Sequence, residues 1–146
     1  MPTITIRTAA LPAAPPRPTP QRLTPGLAAE GVEPAHVVVR FEEEPAGVVY
    51  VGGLPAEALD RELAAADRPT HAAVTCCVSP DRDADFRRRL AGQIVAALPG
   101  GSRLSFLYLE FRPTSPADIW VGQRGKLRRA DDAVAPLSIH DPEESA

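Results

Sequence analysis

Residues 40–53 read RFEEEPAGVVYVGG, and this stretch decides the fold because the chain contains its pattern twice. Shifted by 70 residues, the spacing F-x8-[YW]-V-G recurs at residues 111–122, where Trp120 stands in the place of Tyr50. In both copies a Pro-Ala pair lies between the phenylalanine and the aromatic residue, after the apolar runs HVVVRF and LSFLYLEF. Such runs followed by proline predict a strand, a turn and a short hairpin arm in each copy.

The same offset relates the beginning of the chain to its middle. Thr5 of PTITIRT falls on Thr75 of AAVTCCV, so both segments are predicted strands and Pro2 corresponds to Ala72. Residues 79–98 begin with a Ser-Pro cap and space their apolar residues as a helix does. The second copy is therefore a strand, a helix and a strand, and its two strands are predicted to be parallel.

The first copy departs from this pattern in its crossover. Residues 11–31 contain six prolines, and a proline inside a helix costs about 3 kcal/mol, so a regular helix is not expected there. At most, a turn or two is expected between Leu23 and Glu30, after polyproline-like coil over the sheet. The alternative is that residues 12–20 are disordered. The prolines are Pro12, Pro15, Pro16, Pro18, Pro20 and Pro25.

Together the two halves, residues 2–53 and 70–124, predict an α/β fold in a single domain of residues 1–146. The sheet is expected to have four mainly parallel strands with helices on one face. A helix over residues 55–67 is expected to link the halves, because a glutamate and an arginine lie four apart in it. The tail, residues 125–146, either folds over a neighbouring subunit or is disordered.

Composition narrows the class of protein. The net charge of -3 and the pI of about 5.6 give no basic surface for nucleic acid. No apolar run reaches the roughly 18 residues of a membrane span, and the start lacks a signal-peptide pattern, so a soluble, cytoplasmic protein without a membrane partner is expected. The histidines and cysteines lack metal-ligand spacing and no phosphate-binding glycine motif is present, so neither a metal nor a cofactor is expected.

Pro2 is the first candidate for chemistry. One interpretation is structural, since proline is tolerated at the first residue of a strand, where no ladder bond is lost. In the other, removal of Met1 before so small a residue leaves Pro2 as a free secondary amine. Such an amine is a general base when neutral and a proton donor when charged, and burial beside a cation favours the neutral form. The sequence leaves both states open.

The amino-terminal proline, the two β-α-β halves and a hairpin ending in G-G or V-G together resemble the tautomerase superfamily. The segments RFEEEPAGVVYVGG, DADFRRRLAGQIV and FLYLEFRP are similar to the family of cis-3-chloroacrylic acid dehalogenase. The resemblance implies a homotrimer without a cofactor, with the amine of Pro2 in a pocket near subunit contacts. It also implies that Arg82 binds a substrate carboxylate and that Tyr108 positions water or the substrate.

Three positions of that family do not match. The first arginine of its pair falls on Ser79, its first-helix histidine falls in the proline-rich segment, and its water-activating glutamate falls on Ile119, beside Asp118. The differences speak against hydrolytic dehalogenation. They favour a tautomerase-type enzyme that moves a proton on a small 2-oxo, enol or unsaturated acid. The alternatives are a hydratase or dehalogenase of 3-substituted acrylates, and a catalytically inactive trimer that serves binding or assembly.

Five residues besides Pro2 are candidates for the site, each with a structural alternative. Arg82 opens the second helix, where free backbone N–H groups also attract anions, or it is a solvated arginine paired with a neighbouring aspartate. Arg112 and Arg124 flank the second turn as further carboxylate contacts, or are ordinary surface arginines. Tyr108 lies at the site or in the core. Trp120 lines the pocket or repeats the hairpin packing of its counterpart in the first copy.

Overall fold

A computed structural model of the chain describes residues 2–9, 17–59 and 71–132. These residues form a four-stranded sheet in the order β2-β1-β5-β6, two helices and two separate two-stranded hairpins. The elements are β1 (Thr3–Thr8), α1 (Pro18–Ala29), β2 (Val38–Glu43), β3 (Tyr50–Val51), β4 (Leu54–Pro55), β5 (His71–Val78), α2 (Ala84–Ala97), β6 (Phe106–Pro113), β7 (Trp120–Gln123) and β8 (Lys126–Arg129).

The strand registers confirm the two β-α-β halves. β1 and β2 are parallel, as are β5 and β6, and in both pairs the partners lie 35 residues apart, as for Thr3 and Val38. β1 runs antiparallel to β5, with Thr5 opposite Thr75. The repeat of 70 residues therefore relates the two halves by an approximate two-fold axis that passes between these two threonines.

Both helices pack on one face of the sheet. Side chains alternate between faces along a strand, and Ile4, Ile6, Val74 and Cys76 point to the helical face, where all four are completely buried. Burial raises the pKa of the Cys76 thiol to about 12, in keeping with a core residue. The helical side chains of this core are Leu23 and Leu27 of α1 and Phe86, Leu90, Ile94 and Ala97 of α2.

The expectation that prolines prevent a regular first crossover helix is wrong. α1 is a helix of 12 residues, and it begins well before Leu23. Pro18 is its first residue and Pro20 lies in its first turn, where backbone N–H groups have no partner within a helix. Only Pro25 lies in the helix interior. The other three prolines of the segment lie outside the described residues.

Tertiary packing outweighs the cost of Pro25. An interior proline costs about 3 kcal/mol, whereas burying one leucine completely contributes about 1.5–3 kcal/mol. α1 buries both Leu23 and Leu27 completely. The Thr19 hydroxyl also donates a buried hydrogen bond of 2.8 Å to the Ala97 carbonyl of α2. The helix is therefore held by its contacts with the sheet and with α2 rather than by its own propensity.

Replacing Pro25 by alanine is expected to raise the free energy of unfolding by about 1–3 kcal/mol. Alanine supplies the N–H that pairs with the carbonyl four residues earlier, and Pro25 is exposed, so little packing is lost. Urea unfolding measures the change. Pro18→Ala is the control, because the first helical residue needs no intrahelical donor. A Pro25→Ala protein no more stable than the wild type would contradict this expectation.

Two predicted segments are described only in part. A 3-10 turn at Ala56–Ala58 lies within the helix predicted over residues 55–67, and residues 60–67 lie outside the described residues. The predicted tail begins within the second hairpin, where β8 pairs with β7, and residues 133–146 lie outside the described residues. No helix in the described ranges is long and apolar enough to cross a membrane.

Candidate active site

Pro2 lies at one end of the sheet, directly before β1, and it is buried. Its carbonyl accepts a hydrogen bond of 3.2 Å from the Val38 N–H at the start of β2. Because Thr3 lies opposite Cys77, the antiparallel register places Pro2 beside Val78, the last residue of β5. Pro2 therefore sits where the chain leaves β5 and turns into α2.

Arg82 lies in that turn, and its guanidinium is anchored on the protein. The Arg82 N–H donates to the Ser79 carbonyl at 3.2 Å, which closes the turn. Nη1 of the side chain donates to the Glu30 carbonyl just after α1 at 3.3 Å, and the guanidinium carbon lies 4.6 Å from the centre of the Phe86 ring. Among the described residues Arg82 has no salt bridge to a neighbouring aspartate. Its remaining N–H groups are donors of the kind that bind anions.

Three carboxylates surround this turn, and each accepts hydrogen bonds from neighbouring groups. The Ser79 hydroxyl donates a hydrogen bond to Asp81 and lowers the pKa of that carboxyl. Asp83 caps α2, because its Oδ1 accepts a hydrogen bond of 2.7 Å from the Phe86 N–H. Glu30 accepts two hydrogen bonds, of 2.6 and 2.9 Å, from the Arg89 guanidinium, which lowers the pKa of Glu30.

Tyr108 and Arg112 lie on β6 and point to the face of the sheet away from the helical core. Arg112 lies opposite Cys77, in the same cross-strand row as Thr3, whereas Tyr108 lies four residues earlier in the strand. Four residues of strand span roughly 13 Å, so a single protomer does not bring Tyr108 to Pro2. Tyr108 is 52% exposed, and therefore not a core residue.

The charge of Arg112 is already paired. Its Nε donates to Oε1 of Glu110 at 2.6 Å, and this contact lowers the pKa of the Glu110 carboxyl. The Tyr108 hydroxyl donates weakly to the other Glu110 oxygen at 3.5 Å. Arg112 therefore lies near the end of the sheet that holds Pro2 but is bound to a carboxylate of its own strand.

Trp120 and Arg124 lie on the second hairpin. Trp120 pairs with Arg129 across the hairpin and is 57% exposed, and its counterpart Tyr50 is similarly exposed on the first hairpin. Arg124 has a φ of 49° and precedes Gly125 at 76°, so the two left-handed residues form the tight hairpin turn. Asp118 is exposed at the end of a 3-10 turn, Pro116–Asp118.

Sequence reasoning missed a contact between Glu57 and the segment before the first hairpin. Oε1 of Glu57 accepts a hydrogen bond of 3.1 Å from the Gly47 N–H, and the Ala56 N–H donates to the Val49 carbonyl at 2.8 Å. The pKa of Glu57 is lowered by its own backbone N–H, by that of Gly47 and by the neighbouring His71, which is 1% exposed. No local signal could reveal this contact, because its members come from three separate segments.

Glu57→Gln is expected to lower the urea midpoint at pH 7, and the loss is expected to shrink at acid pH. The folded-state pKa of Glu57 lies below its ordinary 4.5, so its stabilising contribution is present above 4.5 and is lost as the pH falls through the lowered value. Urea unfolding at pH 7 and about pH 3 measures both midpoints. Glu43→Gln removes an exposed carboxylate outside this contact and controls for net charge. An equal loss at both pH values would contradict the expectation.

The described residues contain no group of three or more histidine, cysteine, aspartate or glutamate side chains that could hold a metal. The candidate site consists of the buried start of β1, the turn that carries Ser79, Asp81 and Arg82, and the loop after α1. Its groups can hold an anion and move a proton.

No family model and no curated protein match the sequence, but solved structures match the fold. The fused 4-OT protein Q0, a wild-type symmetric trimer, superposes with a TM-score of 0.60 at 16% identity, over 82% of this chain and 90% of its own. N1, a member of the cis-3-chloroacrylic acid dehalogenase (cis-CaaD) family, has a TM-score of 0.60 at 14% identity, over 86% and 82%.

A third similar structure is the macrophage migration inhibitory factor of Toxoplasma gondii, with a TM-score of 0.58 at 16% identity, over 84% of this chain and 97% of its own. All three are tautomerase-superfamily proteins. The similarity runs over most of every chain, so it concerns the whole domain and not one motif. The chain therefore has the fold of the tautomerase superfamily, and the resemblance that its sequence indicates is confirmed at the level of the fold.

Proposed function

We propose that the chain is a cofactor-independent enzyme of tautomerase type, in which the amine of Pro2 transfers a proton on a small 2-oxo, enol or unsaturated acid. One observation carries the proposal. Pro2 is buried at the start of β1, its carbonyl is fixed by the Val38 N–H, and it lies beside the turn that holds Asp81 and Arg82. A reactive group held by the sheet on a rigid strand start is well placed for proton transfer.

Removal of Met1 creates the amine in this proposal. Arg82 then offers the guanidinium N–H groups that Glu30 does not use, and the first turn of α2 adds free backbone donors. A carboxylate held there presents its α and β carbons toward Pro2. Because the acid–base group is the chain's own terminus, proton transfer needs no metal or organic cofactor.

The proposed working unit is a homotrimer. Similar structures are described as trimers, and this chain exposes several large apolar side chains that an assembly would cover. Tyr108 belongs to the proposed substrate site only as a contribution from a neighbouring copy, because it lies about 13 Å along β6 from the row of Thr3 in its own protomer. Arg112, Arg124 and Trp120 are proposed as further contacts at that site. The exposed apolar residues include Val48, Tyr50, Leu54, Tyr108, Trp120 and Leu127.

A hydratase of unsaturated acids is the second candidate function. It is supported by Asp81, a charged carboxylate in the turn beside Pro2 that could orient water. The dehalogenase family has its water-activating glutamate at a different position. Ile119 occupies that glutamate position, and Asp118 next to it is exposed. The dehalogenase reaction has less support, because Ser79 also replaces the first arginine of the family's pair.

Ultraviolet-monitored ketonisation of an aryl enolpyruvate tests the proposal, after intact mass has established that Met1 is absent. A rate well above buffer supports tautomerase chemistry. If only 3-substituted acrylates react, the second candidate function replaces the first. If the protein sediments as a trimer and turns over neither substrate class, the remaining interpretation is a catalytically inactive trimer that serves binding or assembly.

A further inference from the structure

The way in which the Arg82 guanidinium is held decides which of its N–H groups can meet a ligand. Nη1 donates a hydrogen bond of 3.3 Å to the Glu30 carbonyl, and the guanidinium carbon lies over the Phe86 ring, 4.6 Å from its centre. A guanidinium can grip a carboxylate with two N–H groups along either of two edges, and Nη1 belongs to only one of them. The other edge, formed by Nε and Nη2, has no hydrogen-bond partner among the described residues.

Glu30 fixes this orientation, and its own backbone is set by the end of α1. The Glu30 N–H donates to the Leu27 carbonyl at 3.0 Å, and Gly31 follows with a φ of 82°, a left-handed conformation that commonly ends a helix. Carbonyls at a helix end have no intrahelical partner, and the negative pole of the helix attracts a cation there. Arg82, from the turn before α2, is the cation at this end of α1.

Arg89 holds the side chain of the same glutamate. Its Nε and Nη2 donate to the two carboxylate oxygens of Glu30 at 2.6 and 2.9 Å, a charge-assisted contact at two points. Glu30 therefore has two links to the region of α2, one from its carboxylate to Arg89 and one from its carbonyl to Arg82. Loss of the Arg89 contact removes one of these links and leaves the Glu30 carbonyl less firmly placed.

We propose that Arg89 is a positioning residue for the substrate site. Through Glu30 it holds the Arg82 guanidinium with the Nε–Nη2 edge available, so that Arg82 binds one substrate carboxylate by two parallel hydrogen bonds. The proposal rests on the proposed function, because that function assigns the substrate carboxylate to Arg82.

Steady-state kinetics on an aryl enolpyruvate test the proposal. Arg89→Met is expected to raise KM about five- to tenfold and to leave kcat within about twofold of the wild type. The reason is that the carboxylate keeps its charge through the reaction, so a contact with it stabilises substrate and transition state alike.

Arg88→Met is the matched control. It removes the neighbouring arginine of α2, whose partner is Asp85 at 2.7 Å, so the same charge is lost without a change at Glu30. Its KM is expected to stay within about twofold of the wild type. An unchanged KM in Arg89→Met, or an equal rise in both variants, would overturn the proposal.

A double variant shows whether Arg89 acts through Arg82. In an Arg82→Met protein, the further change Arg89→Met is expected to alter kcat/KM by less than about twofold, because the group that Arg89 positions is already absent. If Arg89→Met lowers kcat/KM as much in this background as in the wild type, Arg89 acts independently of Arg82 and the proposal is wrong.

Nuclear magnetic resonance of the arginine side chains separates this proposal from the proposed function, because it needs no turnover. A guanidinium held by a hydrogen bond rotates slowly about its Nε–Cζ bond and gives separate Nη1 and Nη2 signals. At a temperature where the signals of an exposed arginine merge, those of Arg82 are expected to stay separate in the wild type and in Arg88→Met, and to merge in Arg89→Met. Arg82→Met assigns the signals.

The two measurements fail in different ways. Signals that merge in Arg89→Met, in a protein that turns over no substrate, contradict the proposed function and support the link from Arg89 to Arg82. Signals that stay separate in Arg89→Met contradict the role of Arg89, whether or not the protein is active.

Discussion

Pro2→Ala is expected to lower the rate of enol ketonisation about 100-fold or more, the low end of what a positioned acid or base contributes. Alanine keeps an amine after Met1 is removed, but this primary amine rotates freely about its N–Cα bond. The pyrrolidine ring of proline fixes the directions of the N–H bonds and lone pair relative to the strand, which the Val38 N–H holds through the Pro2 carbonyl. The substitution therefore removes orientation rather than the amine itself.

Initial rates on an aryl enolpyruvate measure the effect. Pro45→Ala is the control, because it changes an exposed proline just after β2, at the end of the sheet opposite Pro2. A second protein, in which an inserted large residue prevents removal of Met1, keeps the Pro2 nitrogen in an amide and is expected to be inactive. Wild-type rates in Pro2→Ala would show that Pro2 is only the first residue of a strand.

Leu27→Ala is expected to lower the free energy of unfolding by about 2–5 kcal/mol. Leu27 is completely buried between α1 and the sheet, so alanine leaves a cavity in addition to the lost apolar burial. The Val32 N–H donates to the Leu27 carbonyl at 3.0 Å, so this residue also anchors the loop after α1. Because Arg82 donates to Glu30 in that loop, a shift of Leu27 is expected to reach the candidate site as well.

Urea unfolding measures the loss, and Leu54→Ala is its matched control. Leu54 is 56% exposed on the first hairpin, so in a monomer its truncation is expected to change the free energy of unfolding by less than about 1 kcal/mol. If the two variants lose the same stability, Leu27 is not part of a packed core.

The fold could be predicted because the sequence pattern that indicates it occurs twice in the chain, 70 residues apart. The offset that aligns Thr5 with Thr75 is also the register of the sheet, since these two residues face each other between β1 and β5. A duplicated chain that pairs with itself about a two-fold axis has few other ways to align its strands. The antiparallel contact between the halves is a consequence of that symmetry.

α1 was missed because a count of prolines ignores their positions. Pro18 and Pro20 lie in the first turn, where a proline removes no intrahelical hydrogen bond. The contacts that offset the cost of Pro25, such as the bond from Thr19 to the Ala97 carbonyl, join residues far apart in the sequence. Local propensity contains no information about them.

The candidate site was predictable in its location and not in its electrostatics. Pro2 and Arg82 could be identified by position, one at the chain start and the other at a helix start. The direction of the Arg82 guanidinium depends on the Glu30 carbonyl, which the fold brings close from another segment. Tyr108 was assigned to the site from the resemblance alone, and only the register of β6 reveals how far it lies from Pro2.

The two-fold relation between the halves also sets the stoichiometry of chemical labelling. β5 repeats β1, but its strand start lies inside the chain, so the nitrogen of Ala72 is a peptide amide and never an amine. If Met1 is removed as proposed, a trimer of this chain would contain six such strand starts and only three proline amines. An electrophile selective for secondary amines is thus expected to label each chain once. The position of Ala72, which corresponds to Pro2 in the second half, has no amine that could react.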